Sequence, residues 1–318
     1  MTTVPTVAPL PARGTPSGAA AVVAAAVLWG TAGTAGTLAL GGTADPVALA
    51  AARLVVGGTV VAVLAGLASV AAVIRSRPAP MIASAAAAAA YQLCYFAAVG
   101  RTGVAIATVV AIGSGPVFTG LLTWLRDRAR PGRRWTLATA AAVAGCAVLV
   151  SGGQAVGGDP LGVLLALTGG LLYAFYAVVA AGSITAGAPS GAVMGVLFGG
   201  AAVIMLPVLL WRGTGWLAEP PGLLAAVYLG CATTALAAHL YGRGLRATPV
   251  ARAATLTLAE PAVAALLGVL LLHERLAPVS WAGLVLLGAA LVLVAVPGRA
   301  VPRVPVPSQA RGEAESSA

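Results

Sequence analysis

Residues 160–211, PLGVLLALTGGLLYAFYAVVAAGSITAGAPSGAVMGVLFGGAAVIMLPVLLW, contain no charged side chain. A helix needs about 20 apolar residues to cross a bilayer, so this stretch is long enough for two membrane spans. The rest of the 318-residue chain is similar, with 60% hydrophobic and 8% charged residues, whereas average proteins carry about 25% charged residues. The composition therefore predicts an all-α integral membrane protein with many spans.

The charged and sulfur-containing residues argue against several classes of function. All basic residues are arginines, and without lysine the chain has neither a P-loop lysine nor a Schiff-base amine. The arginines lie in short loops, so no nucleic-acid partner is expected. Cys94, Cys146 and Cys231 fall within apolar segments and lack CxxC spacing. We therefore expect no disulfide, no metal site and no cofactor.

Apolar segments separated by Gly, Pro and charged residues predict ten transmembrane helices. They lie at residues 19–40, 46–70, 81–99, 104–125, 135–152, 161–182, 190–211, 221–241, 250–272 and 279–297. The tails at 1–17 and 298–318 are rich in Pro, Ser, Gly and Arg and are expected to be disordered. If the N-terminus is cytoplasmic, only three loop arginines lie on the opposite side of the membrane, namely Arg101, Arg212 and Arg275. The positive-inside rule then predicts two cytoplasmic termini, in the inner or plasma membrane.

The two halves of the chain repeat one pattern, which gives two domains at 18–152 and 161–297. At offsets of 144 to 146 positions, Gly18 matches Gly162, Trp29 matches Tyr173, Pro116 matches Pro261, and Trp135 matches Trp281. Each half contains five predicted helices. Because five is odd, the second half must enter the membrane from the opposite side. Such inverted repeats are typical of transporters that work by alternating access.

Four short motifs follow one another along these halves. They are Trp29–Gly30, DPVALAAARL at 45–54, GSGPVFTGLL at 113–122 and LAEPAVAALLGVLLLHERL at 258–276. In this order, within a duplicated ten-helix pattern, they resemble the EamA family of the drug/metabolite transporter superfamily. The resemblance implies ten helices around a central cavity, and secondary transport of small metabolites, often export. The family usually has a Gly-Glu pair after the fourth helix as well as the ninth. Here TWLRDRARPGRRW at 123–135 stands in its place, which puts a symmetric role for Glu274 in doubt.

Glu260 is the first candidate for a functional residue. It lies about ten residues into the ninth segment, and therefore near the middle of the hydrocarbon core. A carboxylate at that depth is costly and usually functional, so we expect it to bind a proton or a cationic group. The alternative is a hydrogen bond to a neighbouring helix. Pro261 and its counterpart Pro116 each remove a backbone hydrogen bond and predict a helix discontinuity that faces a cavity.

Arg53 is the second charge within a span. It can bind an anionic group of the substrate, pair with Glu260, or have a structural role. Aromatic and hydroxyl residues within the spans are candidates to line the same cavity, with core packing or interhelical hydrogen bonds as the alternative. They are Trp29, Tyr91, Tyr95, Tyr173, Tyr176, Ser114, Thr233 and Thr234.

Several other features receive simpler interpretations. His239 and Glu274 lie near the ends of their segments and are expected to remain outside the site. The GxxxG formed by Gly195 and Gly199 fits close helix packing within the chain, and a homodimer is the alternative.

These patterns predict a secondary active transporter with no enzymatic activity. It would export small metabolites or drugs by alternating access, with protons coupled through Glu260, and its partners would be the substrate and the lipid bilayer. A membrane enzyme acting on lipid-type substrates would need clustered carboxylates, but Asp45, Asp127 and Asp159 are scattered over loops. A non-transporting scaffold would not need an inverted repeat.

Overall fold

The computed structural model describes residues 16–40, 45–128, 131–152 and 159–296, and this part of the chain is almost entirely helical. Its α-helices are α1 (Pro16–Leu40), α2 (Pro46–Ala65), α3 (Leu67–Ser76), α4 (Pro78–Asp127), α5 (Arg133–Ser151), α6 (Pro160–Thr185), α7 (Ser190–Arg212), α8 (Pro220–Gly230), α9 (Ala237–Leu245), α10 (Val250–Leu256), α11 (Ala259–Leu271) and α12 (Pro278–Ala295). A 3-10 turn, Gly215–Ala218, precedes α8, and a π-helical segment, Cys231–Leu236, joins α8 to α9. The predicted tails lie outside the described residues, except that α1 already begins at Pro16.

Within the described ranges, nine helical stretches are long and apolar enough to cross a membrane. One of them, Pro220–Leu245, combines α8, the π-helical segment and α9, and another, Val250–Leu271, combines α10 and α11. The prediction of an all-α protein that crosses the membrane many times is therefore confirmed. The count differs from ten because α4 is one stretch of 50 residues where two segments were expected.

Helix α4 is a hairpin and not a straight rod. A straight helix of its length would measure about 75 Å, more than twice the hydrocarbon core of a bilayer. Gly103 has φ 79° and ψ 164°, a conformation that is essentially restricted to glycine. The hydroxyls of Tyr95 and Thr108 lie 2.8 Å apart, although a straight helix would separate these residues by about 20 Å. The chain therefore reverses at Gly103, and α4 has two arms, 78–102 and 104–127.

Replacing Gly103 by Ala should destabilise the protein by about 1–3 kcal/mol, because a Cβ is strained in this backbone conformation. No heavy atom lies within 4 Å of the position that this Cβ would occupy, so the effect isolates backbone strain from crowding. Gly100→Ala is the matched control, since Gly100 has the same open surroundings but lies in the helical arm. The stability of each variant is measured as the midpoint of its thermal unfolding in detergent. Equal midpoints would show that the reversal at Gly103 tolerates a side chain.

The most extensive helix contacts join the two halves of the chain. Helix α4 packs on α6, α2 on α7, α5 on α12, and α1 on both α9 and α11. Gly145 on α5 and Gly283 on α12 show how closely the backbones approach. A Cβ on Gly145 would lie 2.9 Å from the carbonyl oxygen of Gly283, and the reverse distance would be 2.8 Å. The halves are thus held together by contacts between small residues, as is common in membranes.

The GxxxG motif of α7 also takes part in packing within the chain. A Cβ on Gly195 would lie 2.9 Å from Cγ2 of Val70, and one on Gly199 would lie 2.9 Å from Cβ of Ala62. The glycines therefore face α2 and α3, which matches the first of the two interpretations. Both glycines of this motif are therefore in contact with helices of the same chain.

Two ion pairs join the halves at the face where α6 begins and α7 ends. Arg101, at the tip of the α4 hairpin, has its Nη1 2.8 Å from Oδ2 of Asp159. Arg212, at the end of α7, has its Nη1 3.2 Å from Oδ2 of Asp45. The hydrogen bond from Arg101, together with one from the backbone N–H of Leu161, lowers the pKa of Asp159 below its ordinary value. Because these side chains are partly exposed, the pairs align the helix ends and contribute little to stability.

Candidate functional site

The ninth predicted segment is broken immediately before Glu260, between α10 and α11. Pro261 has no backbone N–H, and its ring crowds the carbonyl of Thr257, four residues earlier. That carbonyl instead accepts a hydrogen bond from the backbone N–H of Glu260 at 3.0 Å. Glu260 consequently lies in the first turn of α11, where the helix dipole favours a negative charge.

Pro116, the counterpart of Pro261, has no such effect on its helix. It lies within arm 104–127 of α4, which continues through it. Its neighbour Gly115 instead allows a close contact between helices, because a Cβ there would lie 3.1 Å from Cδ1 of Tyr173. The structure therefore has a break near Pro261, whereas the helix continues through Pro116.

The Trp29–Gly30 motif places α1 directly on the turn that carries Glu260. A Cβ on Gly30 would lie 2.7 Å from the carbonyl oxygen of Glu260 and 2.7 Å from Cβ of Val263. Only a glycine allows α1 to approach this closely without displacing α11. Trp29 then packs beside Tyr241, with 5.5 Å between the ring centroids.

Glu260 and Arg53 line one cavity of about 70 Å³ between the two halves. Helices α1, α2 and α4 form one side, and α6, α7, the π-helical segment and the turn between α10 and α11 form the other. The lining residues are Trp29, Arg53, Leu54, Tyr91, Gln92, Ala111, Ile112, Tyr173, Tyr176, Phe198, Thr233, Thr234, Thr257 and Glu260. This volume holds a few water molecules and is smaller than the 300–1,000 Å³ or so of pockets for drug-sized ligands. A larger substrate therefore requires the cavity to widen.

Most of the candidate residues from the sequence lie on this cavity. Trp29, Arg53, Tyr91, Tyr173, Tyr176, Thr233, Thr234 and Glu260 line it, whereas Tyr95 and Ser114 do not. The hydroxyl of Tyr95 is hydrogen-bonded to the hydroxyl of Thr108 across the α4 hairpin. The hydroxyl of Ser114 donates to the carbonyl of Ala111 at 3.3 Å and packs against Gly170. His239 and Glu274 are exposed and lie away from the cavity.

Tyr173 connects several parts of the wall. Its hydroxyl lies 3.3 Å from the hydroxyl of Tyr241 and 3.3 Å from Oγ1 of Thr257. Its ring meets that of Tyr176 edge to face, with 5.3 Å between centroids, which is a favourable aromatic geometry. Tyr173 thereby links α6 to α9 and to the turn beside Glu260.

The π-helical segment supplies two hydroxyl groups to the wall. Thr233 and Thr234 both donate to the carbonyl of Leu229, at 2.7 Å and 3.0 Å. Helix α2 contacts this segment through Gly57, where a Cβ would lie 2.4 Å from Cβ of Thr234. Isolated π-helical turns often occur at functional sites, and this one contacts α2 at Gly57, which lies about one helical turn along α2 from Arg53.

Three polar or aromatic lining residues were not among the expected ones, namely Gln92, Phe198 and Thr257. Tyr241, which contacts Tyr173 from behind the wall, was not expected either. Gln92 is 7% exposed, and its amide has no hydrogen-bond partner among the described residues. Gln92 is a polar residue inside the third predicted segment, just as Glu260 is a polar residue inside the ninth. The sequence therefore does indicate Gln92 as a candidate cavity residue. Phe198 and Tyr241 have no comparable signal, because aromatic residues are common throughout membrane helices.

Two copies of one family model, the EamA-like transporter family, match this chain at residues 16–151 and 160–296. The chain belongs to the EamA-like transporter family. Each half of the chain thus matches the same family model. Membership of this family points to a membrane transporter rather than to an enzyme of the lipid-modifying type considered above.

The chain is also similar to a protein named as a transporter and to a solved structure. The uncharacterized transporter YwfM of Bacillus subtilis (strain 168) is 37% identical over 279 residues, which cover 87% of this chain and 93% of that protein. A crystal structure of a protein with 22% identity superposes with a TM-score of 0.74 and covers 87% of this chain and 96% of the other. At that identity the second likeness shows that the fold is shared.

Proposed function

We propose that this EamA transporter is a secondary active exporter of small metabolites or drugs that works by alternating access. The cavity between the halves supports this proposal, because each half contributes one of its two charged residues, Arg53 and Glu260. Rocking of two inverted repeats opens a site between them first to one side of the membrane and then to the other. The ion pairs of Asp45 and Asp159 join the two halves at the face of the protein where α6 begins. These pairs would separate or rearrange when the cavity opens to that face.

Glu260 is proposed to carry the coupled proton. A neutral carboxylic acid can remain in an apolar interior at far lower cost than a carboxylate. Glu260 is partly buried on the cavity wall, at the break between α10 and α11. Movement of a proton on and off this group, once at each side of the membrane, would link the proton gradient to substrate movement.

Ten membrane spans and cytoplasmic termini are also proposed. Each arm of the α4 hairpin is long enough to cross a core of about 30 Å, which divides this stretch into two spans. With ten spans both termini lie on one side. The excess of loop arginines on that side supports a cytoplasmic location in the cell membrane.

Alternating access predicts that a cavity residue can be labelled from both sides of the membrane. Thr234→Cys, in a variant with Cys94, Cys146 and Cys231 replaced by Ala, should react with an impermeant maleimide in right-side-out and in inverted vesicles. Thr139→Cys is the control, because Thr139 is 4% exposed and hydrogen-bonded to Thr255 at 2.9 Å, outside the cavity. It should remain unlabelled from either side.

The same labelling experiment can contradict the proposal. If Thr234→Cys reacted from one side of the membrane alone, the cavity would be a pocket or channel entrance that is accessible only from that side. Absence of reaction from both sides, with the variant folded, would describe a closed scaffold.

A further inference from the structure

Arg53 lines the cavity as a charged donor without an acceptor. Its Nε is buried and has no hydrogen-bond partner in the described part of the chain. Among the same residues, the ion pairs within 4.0 Å involve Arg101, Arg126 and Arg212, and none involves Arg53. A guanidinium group retains its charge in proteins, so a buried N–H without a partner costs free energy. A ligand oxygen at this position would supply the missing acceptor.

Glu260 does not supply that acceptor. Its backbone is held by the close contact with Gly30 and by the hydrogen bond to Thr257, and its carboxylate remains more than 4.0 Å from Arg53. The cavity therefore presents a positive and a negative group separately. Each can contact a different part of a bound molecule.

The remaining wall is largely aromatic, and its neutral polar residues include Gln92 and three threonines. The rings of Trp29, Tyr91, Tyr173, Tyr176 and Phe198 surround the space, and aromatic faces favour flat, apolar ligand parts. The amide of Gln92 is 7% exposed and, within the described residues, without a hydrogen-bond partner. It offers a second polar contact on the first-half side of the cavity. The small volume favours a compact ligand.

We propose that this transporter carries a compact organic acid, whose carboxylate accepts a hydrogen bond from Nε of Arg53 while its apolar part lies among the rings. This inference rests on the proposed transport function. Glu260 then remains available for a proton or, if the substrate is an amino acid, for the ammonium group. The carboxylate is common to plain acids and amino acids, and the choice between them is part of the test.

Binding of four compounds with one benzene ring and different charges tests the proposal. Benzoate is an anion, phenylglycine carries both charges, benzamide is neutral and benzylamine is a cation. With the purified full-length protein in detergent, the two carboxylates should raise the midpoint of thermal unfolding, and benzamide and benzylamine should not. A larger effect of phenylglycine than of benzoate would indicate amino acids, and the opposite order plain acids. The proposal would be overturned if benzamide or benzylamine raised the unfolding midpoint as much as the carboxylates do. It would also be overturned if neither carboxylate raised the midpoint.

Substitutions of Arg53 separate binding from a structural role. Arg53→Gln should weaken binding of the effective carboxylate about 10- to 100-fold, the range expected for one hydrogen bond to a charged group. Arg53→Met removes a buried group without a partner and should leave the unfolding midpoint of the ligand-free protein unchanged or raise it. A lower midpoint for Arg53→Met, together with unchanged carboxylate binding by Arg53→Gln, would assign Arg53 a structural role instead.

These measurements remain distinct from the test of transport. Carboxylate binding without labelling of Thr234→Cys from both sides would retain the inference and reject alternating access. Labelling from both sides without carboxylate binding would retain alternating access and reject the organic acid as substrate.

Discussion

Replacing Glu260 by Gln should leave the protein folded but unable to accumulate its substrate in response to a pH gradient. Glutamine has nearly the same shape as glutamic acid and cannot release a proton. With one proton exchanged per substrate, a gradient of one pH unit supports about tenfold accumulation, since a factor of ten corresponds to about 1.4 kcal/mol. The wild type should approach this ratio, and Glu260→Gln should only equilibrate its substrate.

The measurement begins with a growth screen against toxic metabolites and drugs. Export predicts that overexpression of the wild type protects a sensitive host from at least one compound. The movement of that compound is then followed in proteoliposomes with and without a pH gradient. Glu274→Gln is the control, because Glu274 is exposed and lies away from the cavity. If Glu260→Gln still accumulates the compound, Glu260 is not the coupling group, and greater sensitivity of the host would indicate import.

Replacing Gly58 by Ala should destabilise the protein by about 1–3 kcal/mol or more, which is a substantial fraction of the roughly 5–15 kcal/mol by which folded proteins are usually stable. A Cβ on Gly58 would lie 2.0 Å from the carbonyl oxygen of Phe198 and 2.9 Å from Cβ of Ala202. The first of these atoms belongs to the backbone of α7 and cannot rotate away. Helices α2 and α7 would have to separate, and Phe198 would move with them at the cavity wall.

Gly288→Ala is the matched control for this substitution. Gly288 lies in α12, and no heavy atom lies within 4 Å of the position of an added Cβ. Alanine there should be neutral or stabilising by up to about 1 kcal/mol, because alanine favours helix more than glycine does. Yield after membrane extraction and the thermal unfolding midpoint should therefore fall for Gly58→Ala alone. Equal stability of the two variants would show that α2 and α7 can separate without cost.

The sequence predicted the membrane class, most helix positions, the duplication and the two charged candidates, because each depends on local composition. The placement of Tyr95 and Ser114 away from the cavity could not be predicted in this way. Their segments are apolar on all sides, so no polar face indicates which side points inward. The direction in which each side chain points became clear only from its partners, Thr108 for Tyr95 and Gly170 for Ser114.

The two prolines illustrate a second limit. Pro116 and Pro261 occupy matching positions in the repeats and have the same local chemistry, yet the helix breaks at Thr257 and continues through Pro116. A proline removes one hydrogen bond in either case. The outcome depends on the neighbours, because Pro116 lies in an arm closely packed on α6, whereas the turn at Thr257 opens onto the cavity.

By itself, the sequence determined that this chain is a duplicated helical membrane protein with a carboxylate and a guanidinium inside its spans, because hydropathy and charge are properties of each segment alone. Only the tertiary structure decided that Arg53 and Glu260 line one cavity without pairing, and that Gln92 and five aromatic rings surround them. Those relations depend on the rotation and spacing of helices from different halves. Close contacts at glycines such as Gly30, Gly57 and Gly58 set that spacing, and their effect appears only when the opposing backbone is in place.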